Sequence, residues 1–256
     1  MPVTRLPTKL KKEPLFDAVF ELRFGTANPY PSTAIASILY AHELSSSGKP
    51  PQIERLQNSE IPTAVRIADP NLKYLPLLRA RIDNFNLLIG DSAILIGIRL
   101  PYAGWENFKP IIIRTVNAIL KSNVIVRIER YSMKYADMIE GEGNDQNLKR
   151  VNLNLSIGDH KIASEQTMVR VELRRSEFID IIQIVSEAKI NIENVGTKSG
   201  LLIDVDSIVE YHTDKLTLFM EELPDRLDRL HTENKYMFFQ SLTEETIAFL
   251  EPIYGT

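Results

Sequence analysis

From position 16 to position 24 apolar residues recur at every second place. Phe16, Ala18, Phe20, Leu22 and Phe24 fall on one side, with Asp17, Val19, Glu21 and Arg23 on the other. A strand turns successive side chains to opposite faces, so this alternation predicts a half-buried strand. Pro29 and Pro31 break it, and Ser32 offers a cap for a helix over 32–44, closed by Ser45-Ser46-Ser47-Gly48. Strands are predicted near 52–56, 64–68, 75–82, 85–89 and 93–100, with Asp83-Asn84 and Gly90-Asp91-Ser92 as turns. The period then changes. Phe108, Ile112, Val116, Ile119 and Leu120 lie three and four apart, which predicts a helix over 104–122. Proline suits a first helical turn, so Pro110 moves its expected start toward Lys109.

A long strand is predicted over 124–139. Val124, Val126 and Ile128 share a face, and beyond Arg130 the phase shifts to Tyr131, Met133 and Tyr135, as a bulge would cause. The polar stretch 141–147, with Glu142 and Asp145, divides the chain into an N-terminal half, 1–140, and a C-terminal half, 141–256. Strands recur near 151–157, 168–174, 178–185 and 201–209. Leu216, Phe219, Met220, Leu223, Leu227 and Leu230 form one helical stripe over 215–230, with Pro224 a candidate kink. A last helix begins near Thr243, where Glu244 and Glu245 favour the positive end of the dipole. The fold class is α+β: two consecutive layers, each an antiparallel sheet followed by a long helix, with C-terminal helices. Helix-grip and TATA-binding-protein-like folds share this order, and the order alone transfers no function.

Composition narrows the classes. With 44% hydrophobic and 25% charged residues over 256 positions, the chain is of ordinary globular type. No run approaches the roughly 18 apolar residues of a membrane span, and positions 1–13 are basic and polar rather than a signal sequence. There is no cysteine, which removes disulfides, thiol nucleophiles and thiolate metal sites and makes the cytoplasm the expected compartment. A net charge of −4 weighs against duplex binding, although a local basic groove stays open.

Little catalytic chemistry is written in the pattern. There is no nucleophile elbow, P-loop or dinucleotide-binding glycine motif. The histidines His42, His160, His212 and His231 show no metal spacing, and His42 and His231 are placed near helix C-termini. Asp204 and Asp206 fall on one face of a strand, about 7 Å apart, where they could bracket a divalent cation; the alternative is a solvated strand face. A nucleotidyl-transfer site also needs a third acid, for which Asp137, Glu140 and Glu210 are candidates. Arg127 and Arg130, Arg170 and Arg174, and Arg79 and Arg81 lie on strands. They suggest an anion or nucleic-acid patch with Tyr131 and Tyr135 for stacking, or pairing with Glu129 and Glu172. The stripe containing Leu223 and Leu227, extended by Phe238 and Phe239, is either core or a docking face for a partner.

The stretch Pro14-Leu15-Phe16-Asp17-Ala18-Val19-Phe20-Glu21-Leu22-Arg23-Phe24 resembles the opening of a sporadically distributed family of bacterial proteins of similar length. Their text runs Pro-Pro-Ile-x-Glu-Ala-Val-x-Glu-Ile-x-Phe. Here Pro14 is the one proline. Trp105-Glu106-Asn107-Phe108, Arg130-Tyr131 and Thr243-Glu244-Glu245 are weaker echoes. The family has no assigned activity. Its patchy occurrence implies a mobile-element or phage-defence setting and names no site residue. The reading that results is a non-enzymatic binding or assembly component without a cofactor, working with a protein partner or as a homo-oligomer. The alternatives are a metal-dependent nucleotide or phosphodiester enzyme using Asp204 and Asp206, and a protein binding a small apolar ligand.

Overall fold

The computed structural model describes residues 5–41, 47–141, 147–192 and 196–255. The protein is α+β, 43% strand and 31% helix, with a large antiparallel sheet and C-terminal helices. In chain order the elements are β1 (Lys9–Leu10), β2 (Leu15–Thr26), α1 (Pro31–Ala41), β3 (Gln52–Arg55), α2 (Thr63–Ala68), β4 (Pro76–Ile82), β5 (Phe85–Gly90) and β6 (Ala93–Ile98). There follow α3 (Trp105–Leu120), β7 (Ile125–Glu140), β8 (Ser156–Ile157), β9 (His160–Lys161), β10 (Met168–Arg175), β11 (Phe178–Ile192) and β12 (Gly196–Thr213). The chain ends with α4 (Leu216–Ser241), α5 (Glu244–Phe249) and β13 (Pro252–Ile253). Among the described residues no helix is long and apolar enough to cross a membrane.

The chain forms two compact units, and each draws on both 1–140 and 141–256. One consists of Ala18–Met133 with Ile208–Arg229. Its meander β3–β4–β5–β6 continues onto β2, with Phe20 opposite Ile96 and Leu22 opposite Ile94. The alternation seen in the sequence is real here: Ala18, Phe20, Leu22 and Phe24 are all buried. Helices α1 and α3 pack on each other, and α1 also packs on β4 and β5. They bury Ile35, Leu39, Phe108, Ile112, Val116 and Ile119. Helix α3 starts at Trp105, ahead of Pro110, because the amides of Asn107 and Phe108 already donate to the Gly104 carbonyl.

The second unit consists of Met1–Asp17, Lys134–Ser207 and Leu230–Thr256. Here β10, β11, β12 and β7 are neighbours in that order. Ile182, Ile184, Leu201, Ile203, Val205, Met237, Phe238 and Phe239 share one apolar core. Gly200 (φ +152°) brings β12 against β7, where any Cβ would collide with the Ile139 carbonyl. Thr243 caps α5 as its sequence predicts, accepting the Thr246 amide ahead of Glu244 and Glu245.

Several expectations are corrected. Positions 64–68 are helical: Val65 and Ile67 are 48% and 73% exposed, and the buried residue is Arg66, paired with Asp91 at 2.7 Å. Apolar side chains there face water, so their alternation carries no strand signal. Of 151–157 only Ser156 and Ile157 form a strand. The Asn152 amide nitrogens instead donate to the end of α4, at Ser241, Gln240 and Leu242. Helix α4 continues through Pro224 to Ser241, which places His231 inside it rather than at its end. His42 and the stretch 142–146 lie outside the described residues.

Candidate functional site

The paired aspartates meet a lysine. Lys134 of β7 holds Asp204 at 2.7 Å, and Asp206 and Asp17 add negative potential. Burial disfavours the lysine's charge, but the carboxylates outweigh it and raise its pKa. Nearby Asp137 is buried. Desolvation first, and then the charges of Glu13 and Asp204, hold its pKa well above the usual aspartate value. Of the other third-acid candidates, Glu140 is engaged by Lys198 and Glu210 belongs to the other unit. Among the described residues no group of three or more histidine or acidic side chains is placed to hold a metal ion.

Most of these arginines are spent on carboxylates. In the first unit Arg130 donates to Glu21 at 2.8 Å and Arg127 to Glu129 at 3.1 Å. Glu129 also receives Lys73 and the Tyr74 hydroxyl, and Arg79 and Arg81 share Glu54. In the second unit Arg174 pairs with Glu172, and Arg170 is exposed on β10. Tyr131 and Tyr135 give no stacking platform because both are buried. Tyr131 packs edge-on against Tyr211 and Phe219 and accepts from Arg226, while the Tyr135 hydroxyl meets His231 Nδ1 at 2.9 Å. Leu223 and Leu227 are fully buried in the first unit, and Phe238 and Phe239 in the core of the second. The helical stripe is therefore core, consumed by its own sheets rather than offered to a partner.

What remains open is an edge. Strand β10 ends the strand order, and among the described residues it pairs with β11 alone. Val169, Val171 and Leu173 stand opposite Ile184, Ile182 and Asp180, so they continue outward the face that β11 and β12 bury against α4. Beyond that cover Val171 and Leu173 are 40% and 38% exposed. The other face of β10 carries Met168, Arg170, Glu172 and Arg174. The Ser186 amide donates to the Thr167 carbonyl at 2.9 Å, which fixes the ladder. In an antiparallel pair the peptide groups alternate in direction. Val169, Val171 and Leu173 thus turn theirs toward β11, and Met168, Arg170, Glu172 and Arg174 turn theirs away.

The strand is held from the inside. Asp180 on β11, fully buried, accepts the Ser207 hydroxyl at 2.6 Å and lies 3.7 Å from Arg175 at the end of β10. Arg175 also engages Glu233 and stacks over Tyr236. Burial and the neighbouring Asp180 push the Glu233 pKa up. This pins β10 to β11, and among the described residues no strand pairs with its outer edge. The signal was present in the sequence as alternation over 168–174; the missing information was that, among the described residues, no strand lies beyond it. A scan against models of protein families finds no match to the chain, and a search of curated proteins finds none.

Proposed function

We propose that this chain is a non-enzymatic binding and assembly component that docks by adding a strand to β10. The observation that carries the reading is an eight-residue edge strand with outward peptide groups and a half-exposed apolar row. In strand addition main-chain hydrogen bonds supply affinity, and alternate side chains supply selectivity. The carboxylates favour this reading over phosphodiester chemistry, because Asp204 is already neutralised by Lys134.

The test is native mass spectrometry of the full chain purified gently from its host, alongside Glu172→Pro. Proline removes an outward N–H at an edge position where the intramolecular ladder does not use it. The expected result is a discrete complex with the unaltered chain and its loss in Glu172→Pro, with the melting temperature nearly unchanged. A complex that survives Glu172→Pro, or a monomer carrying a metal or small molecule, overturns the reading.

A further inference from the structure

We infer that β10 pairs with the β10 of a second copy of this chain, antiparallel about a two-fold axis through Val171. The inference rests on the strand-addition reading and names its partner. An antiparallel pair about a two-fold axis sets residue i opposite a residue at a fixed sum of positions, so the sequence of β10 selects its own register. Centred on Val171, Arg170 faces Glu172 of the second copy and Glu172 faces its Arg170. Val169 then faces Leu173, Leu173 faces Val169, and Val171 meets itself, so the apolar row closes on a matching row. Met168 lies along the aliphatic stem of Arg174.

The two nearest registers fail on charge, since centring on Arg170 sets that arginine against itself. Centred on Glu172, the strand sets Glu172 against itself and Arg170 against Arg174, and like charges directly opposite destabilise a ladder. Centred on Leu173, it pairs Glu172 with Arg174 but sets apolar Val171 against Arg175, which Asp180 and Glu233 already hold. The backbone agrees with the favoured register. The outward peptide groups of Met168, Arg170, Glu172 and Arg174 are the ones that Arg174, Glu172, Arg170 and Met168 of the second copy would meet. Pairing satisfies these groups and removes Val171 and Leu173 from water together. It also extends the core face across the axis.

Sedimentation equilibrium of the full chain over a micromolar-to-millimolar series tests this, with circular dichroism to establish folding. The unaltered chain is expected to dimerise. Arg170→Glu alone and Glu172→Arg alone are each expected to weaken the dimer roughly tenfold or more, since each change acts twice across the axis. An equimolar mixture of the two variants restores it as a mixed dimer, because every charge at 170 and 172 then meets its opposite. The double variant Arg170→Glu/Glu172→Arg restores it in one chain.

A monomer at all concentrations, with a host complex still abolished by Glu172→Pro, overturns self-pairing and leaves strand addition standing. A dimer indifferent to Arg170→Glu and to Glu172→Pro overturns both. Dimers lost in each single variant but not regained on mixing overturn the register.

Discussion

Strand β3 ends the sheet order in one unit and β10 ends it in the other, and the two edges are built differently. Strand β3 has four residues, follows Pro50 and Pro51, and is exposed throughout. Its carboxylate, Glu54, is shared by Arg79 and Arg81 of the adjacent strand, and no two-fold register of two such edges sets Glu54 opposite a cation. Short length, preceding prolines and unmatched charge are ways in which sheets discourage edge pairing. Strand β10 has twice the length, no proline, and charges that alternate in sign along one face beneath an apolar row on the other. If β10 pairs with itself as proposed, charge on an edge strand protects it only when it cannot be matched by the same edge turned around.

The largest expected effect separates the β10 edge from the helical stripe. Leu227→Ala should cost about 2–5 kcal/mol, read as a lower urea midpoint, because Leu227 is fully buried and its removal leaves a cavity. The dimer constant of the folded chain should not change. A variant that stays folded but dissociates would return the interface to α4.

Next in size is Ser207→Ala, which takes the hydroxyl donor from buried Asp180 and should cost about 1–3 kcal/mol. Hydrogen exchange should quicken along β10 and β11 and stay unchanged in β3, since the substitution lies in the unit that contains β10. Equal quickening at both edges would mean that β10 is not held through Asp180.

A pH series sharpens the comparison from a third side. The folded-state pKa of Asp137 is raised, so its contribution to stability is complete below the unfolded value and lost as pH rises through the folded one. Asp137→Asn should therefore raise the melting temperature near neutral pH and leave it unchanged in acid. An Asp137→Asn chain no more stable at neutral pH would contradict a strongly raised pKa.

Local pattern revealed elements better than it revealed what covers them. The alternation of β2 and the spacing of α3 identify a strand and a helix together with their buried faces, because those faces meet a single layer. From Tyr131 to Ile139 all but Lys134 are buried, on both faces of β7. The apparent change of phase is therefore the loss of periodicity in a doubly covered strand. The same ignorance of cover made Leu223, Leu227, Phe238 and Phe239 look like a docking face. It also hid the lysine that neutralises Asp204, since Lys134 lies on another strand far away in sequence. For β10 the residues were legible and its place at the end of the strand order was not, because the end of a sheet is a property of topology rather than of any short stretch.

The smallest expected effect comes from giving β3 one feature of β10. Glu54→Val removes the carboxylate shared by Arg79 and Arg81 and places a strand-favouring apolar residue at the edge. All three groups are well exposed, so the lost pairs should cost no more than about 1 kcal/mol, seen as a small drop in the urea midpoint. Sedimentation should show no new species. Four residues behind two prolines offer only a short ladder. Higher-order species from Glu54→Val would show that the single carboxylate had kept β3 silent, and that length had little part in it. Their absence would place the decision on length and charge pattern together, the two features in which β10 departs from β3.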